Sequence, residues 1–295
     1  MNNKWIRQIL CPVLAAAIWG SAFVFQSVAA DRVPPFAFNA MRSAVGAAFL
    51  GIILLIKRGV TKKKAAPGTV KKTIIGGGIC GIALACASNL QQAGLADTGA
   101  GKAGFITALY IVVVPLLGLF FGKRTNILVW ISVVLAAVGL YFLCVSGSFT
   151  ITAGDLFLIL CAIIFAVHIM LIDHFSEGCD SIAFSCTQFV VAGIISAVLS
   201  LIFETVDMQS VKSVMWSVLY VGVFSSGIAY TLQIFAQQAS NPTVVSLLLS
   251  LESVFATVFG AIVLHETLLA REYAGCVIML CAVCLAQIPL PRKKA

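Results

Sequence analysis

Residues 242–264 read PTVVSLLLSLESVFATVFGAIVL, twenty-three positions with a single charge, Glu252. A helix rises about 1.5 Å per residue, so Glu252 falls about 15 Å along it. That depth is near the middle of a hydrocarbon core of about 30 Å. An apolar run of this length is read as a membrane-spanning helix, and an acid at its centre costs about 2.5–3.5 kcal/mol on insertion scales. Such an acid must be paired, cavity-facing or protonated. Two readings follow. Glu252 is a proton-coupling acid or cation-binding group in a substrate path, or a protonated carboxyl bonded to a neighbouring helix.

The rest of the chain repeats the pattern. Of 295 residues, 61% are hydrophobic and 10% charged, against about 45–50% and about 25% in soluble domains. This excludes an ordinary soluble enzyme, a disordered chain and a nucleic-acid-binding module. Further apolar runs, cut by polar turns, predict helices at about 8–29, 36–56, 74–94, 100–122, 127–145, 153–172, 182–203, 212–235 and 270–289, which makes ten with the first. The runs are too continuous for a barrel, and open strands leave unpaired edges in lipid, so the chain is read as all-α. The first run, with Lys4 and Arg7 ahead of it, extends through Trp19 and Phe25 to Ala30. It exceeds the 7–15 residues typical of a signal-peptide core and is read as a retained helix.

Lys and Arg set the expected orientation. With the N-terminus in the cytoplasm, fourteen lie inside: Lys4, Arg7, Lys57, Arg58, Lys62, Lys63, Lys64, Lys71, Lys72, Lys123, Arg124, Arg292, Lys293 and Lys294. Four lie outside, Arg32, Lys102, Lys212 and Arg271, and Arg42 lies within a span. The net charge of +8 therefore reads as topology rather than nucleic-acid binding. Both termini are expected in the cytoplasm and the chain in the cytoplasmic membrane, with anionic lipid near Lys57–Lys72.

Short matches recur with an offset of 142–146 residues. Ile18-Trp19-Gly20-Ser21-Ala22-Phe23 answers Ile164-Phe165-Ala166-Val167-His168-Ile169. Leu90-Gln91 answers Leu232-Gln233, and Phe121-Gly122-Lys123 answers Leu264-His265-Glu266. The division is 1–147 and 148–295, five helices each. An odd helix count turns the second unit over, so the fold expected is two inverted five-helix repeats. That architecture places a substrate site near the midplane between repeats, and rocking one against the other gives alternating access.

At these residues the sequence resembles the EamA-type family of the drug/metabolite transporter superfamily. The resemblance is carried by Trp19-Gly20, Phe38-Asn39-Ala40-Met41-Arg42, Phe105-Ile106-Thr107-Ala108-Leu109-Tyr110 leading to Pro115, and Ser250-Leu251-Glu252-Ser253-Val254-Phe255-Ala256. It covers roughly residues 10–288 and implies export or uptake of small metabolites, amino acids included, by coupled transport or exchange. Two departures stand out. The family usually ends the fourth span with Gly-Glu, where this chain has Gly122-Lys123. The ninth span often carries Glu-Pro, where this chain has Glu252-Ser253, which predicts a straighter ninth helix.

Other polar groups inside spans are the remaining site candidates. Arg42, about 9 Å below the outer surface and about 9 Å in depth from Glu252, could barely pair with it; it faces the cavity to receive a carboxylate, or it snorkels outward or caps carbonyls of a neighbouring helix. Ser226, Tyr230, Gln233 and Gln237 share one helix face at α-helical spacing and read as cavity lining, with interhelical bonding as the alternative. Asn89 and Gln92 form a shorter pair on the third span. Gln188 stands where Arg42 stands in the first half, and Trp19 and Tyr110 are aromatic walls or packing. The bland reading is given to Ser246, Ser250, Ser253 and Thr257 as close packing, to Gly77 and Gly81 as a tight helix contact, and to His168 as a structural hydrogen bond, with a proton relay as its alternative.

Cys281 and Cys284 lack a second ligand pair, and His265-Glu266 lacks a second His, so no metal is expected. There is no Walker motif and no expected cofactor. The sequence thus reads as a secondary transporter of a small polar or amphipathic, amino-acid-like metabolite, with export as the expected direction. It would be driven by protons or by exchange, and act as a monomer or homodimer. The runner-up is a drug or nucleotide-sugar carrier on the same fold. An integral-membrane enzyme or a non-transporting scaffold fits less well.

Overall fold

A computed structural model describes residues 5–61, 68–98, 100–122, 125–144, 152–263 and 268–288. Lys4, Lys62, Lys63, Lys64, Lys123, Arg124, His265, Glu266, Arg292, Lys293 and Lys294, together with the expected boundary at 147/148, lie outside the described residues. Helices α1 (Ile6–Ala30), α2 (Pro35–Thr61), α3 (Thr69–Asp97) and α4 (Ala100–Ala108 with Tyr110–Phe120) are followed by α5 (Ile127–Cys144). Then come α6 (Ala153–Phe175), α7 (Ser181–Phe203), α8 (Met215–Gln237), α9 (Pro242–Leu249 with Glu252–Val263) and α10 (Ala270–Ala286). A short helix, Met208–Ser213, precedes α8. No strand occurs among the described residues. Among the described residues eight helices are long and apolar enough to cross a membrane, and Ile127–Leu143 is a shorter apolar helix.

Helix starts are chemically marked. Thr152 accepts from the Asp155 amide at 3.3 Å while Asp155 accepts from the Thr152 amide at 2.7 Å, a capping box that opens α6. Asp180 caps α7 through the amides of Ile182 and Ala183, and Asn241 caps α9 through Thr243. The first turn of α2 is capped from afar, since Glu204 at the end of α7 accepts from the amides of Phe36 and Ala37, each at 2.8 Å. An anion at a helix N-terminus meets the unpaired amides and the positive end of the dipole.

The helices pack as α3 on α6 and α7, α2 on α7, α5 on α10, and α1 on α8 and on the second segment of α9. Gly77 and Gly81 back onto α7, as the sequence predicts for a tight contact. A Cβ at Gly81 would stand 2.7 Å from the Gln188 carbonyl oxygen, so only glycine allows this approach.

One end of the bundle is tied by polar side chains. Arg7 donates to the Phe235 carbonyl (3.2 Å) and to Gln238 Oε1 (3.0 Å), and Gln8 donates to the Ala239 carbonyl (2.6 Å). Gln238 Nε2 donates to the carbonyls of Ser176 (2.7 Å) and Cys179 (3.1 Å), and Ser181 donates to Gln238 Oε1 (3.1 Å). Beside them Lys57 pairs with Asp180, and Lys72 donates to the Glu177 carbonyl. Burial works against the Asp180 carboxylate, but Lys57 and the amides of Ala183 and Ile182 outweigh it and hold the group below the usual carboxylate range.

Candidate functional site

A cavity lies among α1, α2, α3, α4, α6, α8 and α9, with about 520 Å³ of empty space, part of it open to solvent. Its charged groups are Glu252 and Arg42, and Trp19, Tyr110, Phe165 and Tyr230 are among its aromatic walls.

Glu252 reaches the cavity because α9 is interrupted just before it. The Leu251 amide bonds to the Leu248 carbonyl (3.3 Å) and the Ser253 amide to the Ser250 carbonyl (3.2 Å), three residues back in place of four. Ser250 Oγ caps the Leu247 carbonyl at 2.8 Å. Glu252 then sits in the first turn of the second segment, where the dipole favours an acid. The helix is therefore not straightened by the absence of a proline after Glu252. Bonding of the chain to Ser250 and Leu248 makes the break instead.

Helix α4 carries the same feature at Leu109, whose amide bonds to Ile106 (3.2 Å) and whose carbonyl accepts from Val112 (2.9 Å). Tyr110 follows this break as Glu252 follows the other. The two residues are 142 positions apart, and the Tyr110 hydroxyl donates to Glu252 Oε1 at 3.2 Å. The two interrupted helices thus meet at the acid.

Arg42 does not snorkel. It is 3% exposed, and its Nε donates to Asn39 Oδ1 at 2.6 Å. Asn39 Nδ2 in turn donates to the Ser88 carbonyl (3.0 Å) and to Asn89 Oδ1 (2.8 Å), and Asn89 Nδ2 donates to Ser196 Oγ (3.0 Å). This chain of bonds across α2, α3 and α7 fixes the guanidinium in the wall. Only one of its five N–H donors is used on Asn39. Arg42 forms no ion pair with Glu252; the salt bridge among the described residues is Lys57–Asp180.

Trp19 meets Tyr230 edge-on, ring centres 4.8 Å apart, and Phe189 supports Tyr230 from behind at 5.2 Å. Gln233 also lines the cavity. Five expected residues stand elsewhere. Ser226 is buried against Gly46, and Ser225 takes its place in the wall. The reason is a π-helical stretch, Val221–Ala229, in which the Tyr230 amide bonds to the Ser225 carbonyl five residues back. The wider turn puts residue 225, rather than 226, above Tyr230. Gln237 donates to the Ile169 carbonyl at 2.7 Å. Asn89 belongs to the Arg42 support. Gln92 turns to the Gln26 carbonyl at 3.3 Å, leaving Gln91 to the cavity. Gln188 lies behind the wall against His168, 3.2 Å away.

Sequence reasoning missed Gln26, Gln91, Thr107 and Ser225 as lining residues, and it weighed His168 as a structural hydrogen bond or a proton relay without placing it in the wall. Gln26 had a findable signal, because it is an amide inside the first apolar run.

Long apolar helices around a cavity with buried charges define an integral membrane protein. The sequence profile of the EamA-like transporter family matches residues 6–145 and again 152–287. The chain belongs to that family, within the drug/metabolite transporter superfamily, and is a membrane transporter. It is 32% identical to an "Uncharacterized transporter" of Archaeoglobus fulgidus over 93% of this chain and 84% of that one. It is 22% identical to "Uncharacterized transporter YoaV" of Bacillus subtilis over 98% and 99% of the two chains. A solved structure titled only "Crystal structure of protein" has the same fold, with a TM-score of 0.77 over 95% of this chain and 96% of that one at 20% identity.

Proposed function

We propose that the protein is a ten-span secondary transporter of two inverted five-helix repeats, 1–147 and 148–295. It moves an amino-acid-like metabolite through the cavity by alternating access, with export as the direction. Packing supports the repeat. Exchanging α1–α5 with α6–α10 maps the pairs α2–α7, α4–α9 and α5–α10 onto themselves, and α3–α6 onto α1–α8. It also maps α3–α7 onto α2–α8, and α1–α9 onto α4–α6. Five spans per repeat invert the second, and a site between such repeats is reached from either side as they rock.

The observation that carries the reading is an acid and a base, Glu252 and Arg42, lining one cavity without a mutual ion pair. Arg42 is matched to a ligand carboxylate, since its fork binds such groups in two-point fashion. Glu252 is matched to an ammonium group or a proton and supplies the coupling. The aromatic walls take an apolar side chain. The orientation follows the positive-inside rule, with both termini in the cytoplasm and the Arg7–Gln238 end facing it.

Counterflow of labelled L-amino acids in proteoliposomes tests the assignment. The expected result is saturable exchange of one group of amino acids, reduced at least ten-fold in Arg42→Lys, which loses the planar fork. Unchanged exchange in that variant removes Arg42 from the site. No exchange of any amino acid refutes the substrate class.

A further inference from the structure

His168 on α6 lines the cavity while being only 1% exposed. Its Nε2 lies 3.2 Å from Gln188 Oε1 on α7. With the Gln188 amide oxygen turned to the ring it can only accept, and this placement puts the His168 proton on Nε2. Nδ1 then presents a lone pair, and it has no partner among the described residues. Buried acceptors are ordinarily satisfied, and an exception calls for a reason. A purely structural histidine is served by the Gln188 bond alone. The ring is further fixed by edge contacts to Tyr230 and Phe165, with centres 6.1 and 6.5 Å away.

Other unpartnered acceptors share the wall. Among the described residues Gln26 Oε1 and Gln233 Oε1 are buried without a hydrogen bond, beside the Thr107 hydroxyl, which can accept or donate, and the Trp19 Nε1 donor; Glu252 receives one bond there, from Tyr110. Acceptors that the protein leaves unused are matched by a molecule that brings several N–H donors, and an ammonium group brings three.

We propose that His168 touches the transported molecule, its Nδ1 accepting a hydrogen bond from the ammonium N–H, and that Gln188 is the positioning residue that sets the tautomer. This rests on the cavity being the substrate site. It gives His168 a role in selecting amine-bearing molecules that is separate from coupling at Glu252.

The chain holds three histidines, so ¹⁵N-histidine NMR of the purified full-length protein resolves this one, assigned by its loss in His168→Asn. The expected spectrum has Nε2 protonated and Nδ1 bare, and Nδ1 shifts when methylammonium is added. A protonated Nδ1, or one indifferent to methylammonium, overturns the proposal. In counterflow of a carried amino acid, His168→Phe raises the half-saturation concentration about ten-fold or more, the effect of one bond to a charged donor, with the maximal rate kept. His168→Asn, which restores an acceptor, recovers part of the loss, and Gln188→Leu gives an intermediate rise. A fall in maximal rate at unchanged half-saturation also overturns it. Absence of amino-acid flux in the unaltered protein refutes the substrate class proposed above, and the methylammonium titration then decides the His168 contact by itself.

Discussion

Replacing Gly20 with alanine probes the joint on which the cavity depends. Helix α1 crosses the second segment of α9 at this residue. A Cβ there would lie 2.5 Å from Phe255 Cβ, 2.6 Å from the Ala256 amide nitrogen and 2.7 Å from the Glu252 carbonyl oxygen. None of these atoms is the end of a flexible side chain, so relief requires the helices to separate. Ordinary contact begins near 3.4 Å, so the separation needed is about 0.9 Å. Overpacking of this kind costs about 1–3 kcal/mol. It also moves Trp19 away from Glu252 on the facing helix, and misplacement by about 1 Å at a working site can cost up to about 100-fold in rate. The assay is unfolding in mixed detergent micelles beside counterflow in proteoliposomes. Gly51→Ala and Gly78→Ala serve as controls, since a Cβ at either meets nothing within 4 Å. Gly20→Ala is expected to lose stability and flux, and the controls to keep both. A Gly20→Ala protein as stable and active as the controls refutes the close crossing.

Three further outcomes are expected. Tyr110→Phe removes the hydrogen bond to Glu252 while keeping the ring, so counterflow should fall several-fold with the unfolding midpoint nearly unchanged; equal flux would separate Tyr110 from the site. Gln238→Ala removes four side-chain bonds at the Arg7 end, and buried Cys179 should then react faster with a water-soluble maleimide, whereas an unchanged labelling rate would mean that Gln238 does not hold this end closed. The Asp180 carboxyl is held below its usual range, so its contribution is complete above the unfolded value near about 3.9 and is lost as pH falls through the lower folded value. Asp180 and Lys57 are 37% and 45% exposed, which keeps the effect under about 1 kcal/mol. The stability gap between the unaltered protein and Asp180→Asn should therefore close below about pH 4, and a gap that persists there would contradict the pairing.

The helices were legible because lipid demands a long apolar run, and a run from 242 to 264 with one acid has few other readings. Glu252 and Arg42 stood out for the same reason, since a charge at that depth must be compensated, but the sequence left open whether either faces a cavity. What escaped the sequence was local backbone geometry. The stripe Ser226, Tyr230, Gln233 and Gln237 assumes α-helical spacing, and the π-helical turn before Tyr230 replaces Ser226 with Ser225. The break before Glu252 carries no proline to announce it. Amides were the other weak point, because Asn89, Gln92 and Gln188 suit helix–helix bonding as well as a cavity. Their choice between the two depends on neighbours such as Asn39, Gln26 and His168, which lie far off in sequence.

The central claim is that Glu252 couples transport in the cavity between the two halves. Its most direct test is amino-acid uptake into proteoliposomes with and without an imposed pH gradient, comparing the unaltered protein with Glu252→Gln. Gradient-stimulated uptake in the first, and uptake indifferent to the gradient or abolished in the second, is the predicted result. Uptake by Glu252→Gln that still follows the pH gradient would contradict it.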